Sequence, residues 1–300
     1  VKTQHLFVLA AAVTACVGTF APRALAWGDE GHRVIALIAD HYLEPGVKKK
    51  VDAMLAADTD TLTKHDIASE AIWAETYRNF DKAKTQAEYA ERETWHSLKL
   101  ELSNPDIDAA CDHHPALPAG IPASRGPAAC SLDKIDQFTK ELSDKATAPA
   151  EKLLALKYLL NLVADLHQPL YVSDDNNQGG DAVKVVGGGA DPGTLRHYWD
   201  SDFIDNLGDD PKAIADDLAD GVRQSKAYDH MAAGAPADWA KEAFALAKEH
   251  AYGKLPPRKA DGSYELPPDY VTDAIETIRL QMARAGVRLA AVLNRALGSS

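Results

Sequence analysis

The chain has 300 residues, 46% hydrophobic and 26% charged, which suffices for one large domain or two small ones. Its formal net charge of −13 excludes a general electrostatic attraction to nucleic acid or anionic membranes and leaves room only for a local positive site. No repeat, long Ser/Gly linker or charge block divides it, so a single domain is expected over residues 27–300.

Lys2, the apolar run from Leu6 to Val17 and the small-x-small triplet Ala24-Leu25-Ala26 read as a secretory signal peptide over residues 1–26. The run is too short to span a bilayer, so no membrane anchor is expected and the processed protein would be secreted or periplasmic. Cleavage would make Trp27 the first residue. A free α-amine titrates near ~7.7–8.0, so it can bind a metal near neutral pH, and His32 follows soon after. The alternative reading of Trp27 is a core anchor.

Val34, Leu37, Ile38 and Tyr42 recur at helical spacing after Asp29, a suitable cap. Ala71-Ile72-Trp73-Ala74-Glu75 puts an acid beside an aromatic on a helix, and Trp95-His96 offers an imidazole on an apolar background. Cys16 leaves with the leader. An exported chain with Cys111 and Cys130 suits one disulfide across the proline-rich loop, contributing roughly 3 kcal/mol. His113-His114 in that loop read as surface, because nothing nearby completes a ligand set. Ser131 caps the next stripe, with Ile135, Phe138 and Leu142 inward.

Pro149 opens a helix whose Leu153, Leu156, Leu159, Leu160, Leu162, Val163 and Leu166 point in nearly all directions, so it is expected to be buried all round. Asn161 and Asp165 share one face of it. A buried carboxylate there is costly unless it is paired, with Lys157 or Arg196 for instance, or bound to metal. His167-Gln168-Pro169-Leu170 ends the helix. Asp174 to Gly179 has a calcium-loop look, but the twelfth position is Val185 rather than a bidentate Glu, so it reads as a loop on the substrate side. Ala182–Val186 is the one expected strand. Arg196 and Asp200 stand four apart in Thr194-Leu195-Arg196-His197-Tyr198-Trp199-Asp200, which suggests a helical ion pair. Pro236 starts a helix bearing Trp239, Ala243 and Leu246. Pro267-Pro268 precede the longest, whose Val271, Ile275, Ile278, Met282, Ala285, Leu289, Val292 and Ala296 form a seam against neighbours. The fold class is all-α, a multi-helix bundle.

In order, WGxxGH, the Trp-Ala-acid segment, LxxxxDLHQPL, the Gly179-Gly180 loop, LxxxWD and PADWAKEAFALAKEHAY make a combination that resembles the zinc-dependent S1/P1 nuclease family, related in fold to zinc phospholipases C. The resemblance runs over nearly the whole chain after Trp27. It implies an all-helical phospholipase C/nuclease bundle with a short β-hairpin, export, three zinc ions, and cleavage of phosphodiester bonds in single-stranded nucleic acid, often with 3′-nucleotidase activity.

The resemblance also implies ligands. Trp27, His32 and Asp165 match one family zinc site. His96 and Asp165 match part of a second, with Glu75 where the family has Asp and Asn161 where it has His. Carboxylate oxygen binds zinc, whereas an amide is a poor substitute for imidazole. The third site maps onto Tyr171, Arg196 and Asp200, of which only Asp200 is a good ligand, and His197 is one residue out of register. One or two zinc ions are therefore expected rather than three. Catalytic roles fall to Asp165, to Glu75 and to Arg196, whose guanidinium can hold a phosphate in the missing ion's place. The expected protein is a monomeric hydrolase acting on single-stranded DNA, RNA or nucleotides. The alternatives are a degenerate member that binds nucleotide or phosphate without efficient hydrolysis, and a phospholipase C-like phosphodiesterase.

Overall fold

The computed structural model describes residues 27–80, 92–127 and 129–298; the expected leader and its cleavage junction lie outside them. The main helices, in chain order, are α1 (Gly28–Tyr42), α2 (Pro45–Ala56), α3 (Trp73–Phe80), α4 (Ser131–Ser143), α5 (Pro149–Asp165), α6 (Pro211–Ser225), α7 (Pro236–Leu246) and α8 (Pro268–Gly298). The fold is all-α. Among the described residues no helix is long and apolar enough to cross a membrane.

α8 is the long seam, and α1 packs along it. Gly286 sets their spacing: a Cβ there would come within 2.4 Å of Ile38 Cγ2 and 3.0 Å of the Ile35 carbonyl. α6 covers another side of α1. α4 pairs with α5 around a knot of rings, where Phe138 stacks on Tyr158 and Trp95 meets both edge-on. Every residue of α5 from Ala155 to Asp165 is buried, polar ones included. That matches its apolar residues on all sides.

Two helix starts differ from the sequence expectation. α1 begins at Gly28, and Trp27 precedes it in the left-handed region (φ 61°), with no side-chain cap. Asp29 lies inside the first turn, where its charge faces the helix dipole instead. Ser131 is likewise the first helical residue of α4. The cap position belongs to Cys130, held by the Cys111–Cys130 disulfide.

The strands are short. β1 (Leu100–Glu101) lies parallel to β2 (Ser173–Asp174). β3 (Lys184–Gly187) turns through Gly188-Gly189 into β4 (Ala190–Thr194) as an antiparallel hairpin, and β5 (Tyr264–Leu266) runs parallel to β3. β3 starts later than expected because Ala182 and Val183 spend their amides on loop carbonyls, those of Asn177 and Gly180. The chain from Leu195 to Asp205 is helical, but Tyr198–Asp202 within it is a π-turn.

Candidate metal centre

Lys157, Asn161 and Asp165 follow one another at intervals of four along the buried helix α5, on one side of it. Lys157 does not reach Asp165. Its ammonium bonds Asp58 and Asp60 (2.7 Å), lies 3.5 Å from Glu70 and sits over the Trp73 ring. Asp58, Asp60 and His65 stand close enough to hold an ion, but Lys157 already supplies the cation. A second such group, Cys111, His114, Cys130 and Asp133, has its sulfurs in the disulfide, and His114 bonds Asp133. His113 is exposed and bonds Asp108.

Asp165 lies between two imidazoles. His96, from the 3-10 turn Glu93–His96, brings Nδ1 within 2.7 Å of its Oδ2. His32, from the first turns of α1, brings Nε2 within 3.3 Å of Oδ1 and 3.9 Å of Glu75 Oε1. Glu75 comes from α3. Asn161 donates its amide to Glu75 Oε1 (2.9 Å) and to the Ala71 carbonyl (3.2 Å). Trp27 is fully buried. Its indole donates to the Ala164 carbonyl (2.8 Å), which ties the start of α1 to the end of α5, and its own carbonyl accepts from Gly31.

Burial and mutual charge shift these groups strongly. Burial works against the charged form of His32, but Asp165 and Glu75 outweigh it and push His32 up to about 9. Burial likewise works against Asp165, but His32 and His96 hold its carboxyl below the usual range. Glu75 is pushed up by burial and by Asp165, against the pull of His32 and His96. The cluster is starved of hydrogen bonds. Both His32 nitrogens, Glu75 Oε2, Asn161 Oδ1 and Asp165 Oδ1 are buried without a hydrogen-bond partner among the described residues. Unsatisfied buried polar atoms are costly, and three carboxylate and amide oxygens beside an imidazole that can give up its proton suit a cation. His32, Asp165 and the Trp27 backbone, and Glu75, His96 and Asp165, are nitrogen and oxygen sets of the kind zinc accepts.

The third set does not fit an ion. Asp200, in the π-turn, is fully buried; Gln168 donates to its Oδ1, its Oδ2 has no hydrogen-bond partner, and burial pushes it up to about 8. Tyr171 has its ring under the Arg196 guanidinium, 4.5 Å away. Arg196 does not form the ion pair with Asp200 that an α-helical i,i+4 spacing suggests. The π-turn changes the register, and the guanidinium turns to the loop before β3: Nε donates to the Gly179 carbonyl (3.1 Å) and lies 3.4 Å from Asp181. His197 is half exposed and faces Asp202 at 3.6 Å, away from this set. The calcium-like loop bonds to itself: Asp174 accepts from the amides of Asn177 and Gly179, and Asn177 from that of Gly180.

Several participants escaped the sequence reading. Gln168 was visible in HQPL but not as the partner of Asp200. Asp181 follows Gly179-Gly180 and gives no signal of pairing with Arg196. His167 packs on Trp239 and accepts from Arg288, far away in sequence.

An all-helical chain that gathers imidazoles and carboxylates around the end of one buried helix defines a class, the helical metallohydrolases. The profile of the S1/P1 Nuclease family matches residues 27–298, and the chain belongs to that family. Nuclease P1 of Penicillium citrinum is 26% identical over 294 residues, covering 91% of this chain and 98% of that protein. Nuclease PA3 of a Penicillium species gives the same figures. Endonuclease 2 of Arabidopsis thaliana is 26% identical over 313 residues, covering 98% and 99%.

Proposed function

We propose that the protein is an exported, zinc-dependent phosphodiester hydrolase acting on single-stranded DNA, RNA or nucleotides, with a metal centre of one or two ions. The observation that carries this reading is the set of buried nitrogen and oxygen atoms on His32, Glu75 and Asp165 that lack a hydrogen-bond partner among the described residues. Bound zinc would lower the pKa of water and stabilise charge on phosphoryl oxygens. Asp165 faces both imidazoles and would hold the two sites together. His32, Trp27 and His96 would complete them, Trp27 through its backbone once residues 1–26 are removed. Glu75 supplies the remaining carboxylate, and Asn161 orients it through Oε1. Burial of the whole group keeps bulk water from competing with substrate oxygens.

A second reading, a weakly active or non-catalytic binder of nucleotides, is favoured by that same Asn161 contact, which occupies one oxygen of Glu75. Metal analysis of protein beginning at Trp27, alongside turnover of single-stranded DNA and RNA, separates the two. The first reading expects one or two zinc equivalents and turnover that chelator abolishes and zinc restores. Metal retention without turnover would leave only the binder. Equal zinc in processed and unprocessed chains would remove Trp27 from the ligands.

A further inference from the structure

The Asp174–Asp181 loop runs past the Tyr171 and Asp200 side of the centre, and Arg196 holds it on that side. Arg196 is 8% exposed. Its donors meet the carbonyls of Gln178 and Gly179, its charge meets Asp181, and its flat face covers Tyr171. The loop is shaped to receive it. Gly179 has φ +61°, and a Cβ there would fall 2.1 Å from an Arg196 Nη atom and 2.5 Å from the Leu170 carbonyl. Only glycine leaves that space to the guanidinium. On the far side of the loop, Asn177 accepts from the Tyr252 hydroxyl (3.0 Å), which adds a neutral tether.

We propose that Arg196 is a positioning residue: a built-in cation that locks the Asp174–Asp181 loop beside the centre, so that the loop keeps its place with or without bound metal. A guanidinium suits the task because its fixed fork can meet two adjacent carbonyls and a carboxylate at once, which an ammonium cannot. Two of its donor directions are committed to the loop, which leaves Arg196 shaping the binding surface through the loop instead of seizing a phosphate itself. The kinetic consequence rests on the phosphodiesterase reading above; the structural consequence does not.

The test is amide hydrogen exchange over Asn177–Val183 in the whole protein, zinc-loaded and after exhaustive chelation. In the parent, protection of these amides is expected to survive chelation within about twofold, whereas Arg196→Ala speeds their exchange by about tenfold in both states. Arg196→Lys should restore little of it. Asp181→Asn, which removes the charge facing the guanidinium and leaves the glycine turn intact, should speed exchange in the same direction to a smaller extent and serves if Arg196→Ala does not fold. Chelation that opens the parent loop would show that a metal holds it and would overturn the proposal, as would unchanged exchange in folded Arg196→Ala. In turnover, Arg196→Ala should raise KM while kcat falls less than about threefold, since positioning acts mainly on binding. A collapse of kcat at constant KM would make Arg196 a transition-state clamp and overturn the proposal. A parent without any turnover would sink the hydrolase reading while the exchange result still decides the lock.

Discussion

The middle and the C-terminal end of one buried helix treat their polar groups in opposite ways. At Lys157, one cation meets Asp58, Asp60 and Glu70, and Trp73 completes the cage from above. One turn and two turns further on, Asn161 and Asp165 each keep an oxygen without a hydrogen-bond partner among the described residues. Both stretches are equally buried, so burial does not distinguish them. Charge balance does: at Lys157 a permanent cation faces three carboxylates, and though Glu70 Oε2 has no hydrogen-bond partner among the described residues it lies 3.5 Å from that cation, so the cluster holds the fold. The cluster at Asp165 leaves several atoms open and is built around something it must bind.

The harshest way to break the open end is Asp165→Asn. The amide has the same shape, so the helix should survive, but the charge between His32 and His96 is gone. Zinc should be lost, and turnover should drop by about a thousandfold or more, the rate equivalent of several kcal/mol of metal assistance. Metal content and rate measured on the same folded sample check this. A variant that keeps both would show that Asp165 is not the shared ligand.

The Lys157 cluster should fail differently. Lys157→Met fills the space but strands three carboxylates, and should cost about 3–5 kcal/mol in denaturant unfolding. Zinc bound per folded molecule should not change. If zinc is lost while stability holds, the two clusters have been assigned the wrong way round.

The sequence made some of this contrast legible and hid the rest. Apolar residues on every side of α5 announced a buried helix, the prolines at 149 and 236 marked helix starts to the residue, and the longest helix takes in Pro268, which was expected just before it. The same rule would have found α2 and α6 from Pro45 and Pro211. The disulfide followed from cysteine count and loop length. Pairing across long sequence gaps was not legible. Lys157 finds Asp58 about a hundred residues away, and nothing local in either segment names the other. Helical spacing even misled at Arg196, because a π-turn cannot be read from residue types when its cost is carried by tertiary packing.

His167 sharpens the comparison through pH, since it belongs to a saturated network at the end of the same helix. Burial and the Arg288 charge hold it down to about 3, and Nδ1 and Nε2 meet the Val163 carbonyl and Arg288. An unfolded histidine titrates near ~6.5. Between those values the unfolded chain takes up a proton that the folded chain refuses. Its contribution is therefore whole above about pH 6.5 and is lost progressively as pH falls towards 3. His167→Gln, whose amide oxygen can still accept from Arg288, should flatten the loss of stability between about pH 6 and 4. Parallel pH profiles for parent and variant would remove His167 as a source of acid sensitivity.

The smallest expected effect comes from converting the half-saturated position. Asn161 donates to Glu75 and Ala71 while its own oxygen goes unanswered, so it belongs neither with Lys157 nor with Asp165. Asn161→His would replace a poor zinc donor by a good one and release Glu75 Oε1 from the amide. Zinc affinity, read by competition with a chromophoric chelator, should rise by about tenfold, the order seen when a neighbour of a metal ligand is changed. The metal-free protein should lose stability, because the larger ring enters a fully buried position and the amide's bonds are gone. These opposite signs are the discriminating feature. A position that only packs would lose stability in both states. A position that faces the ion gains in one and loses in the other, and a folded variant with unchanged affinity would place Asn161 outside the centre.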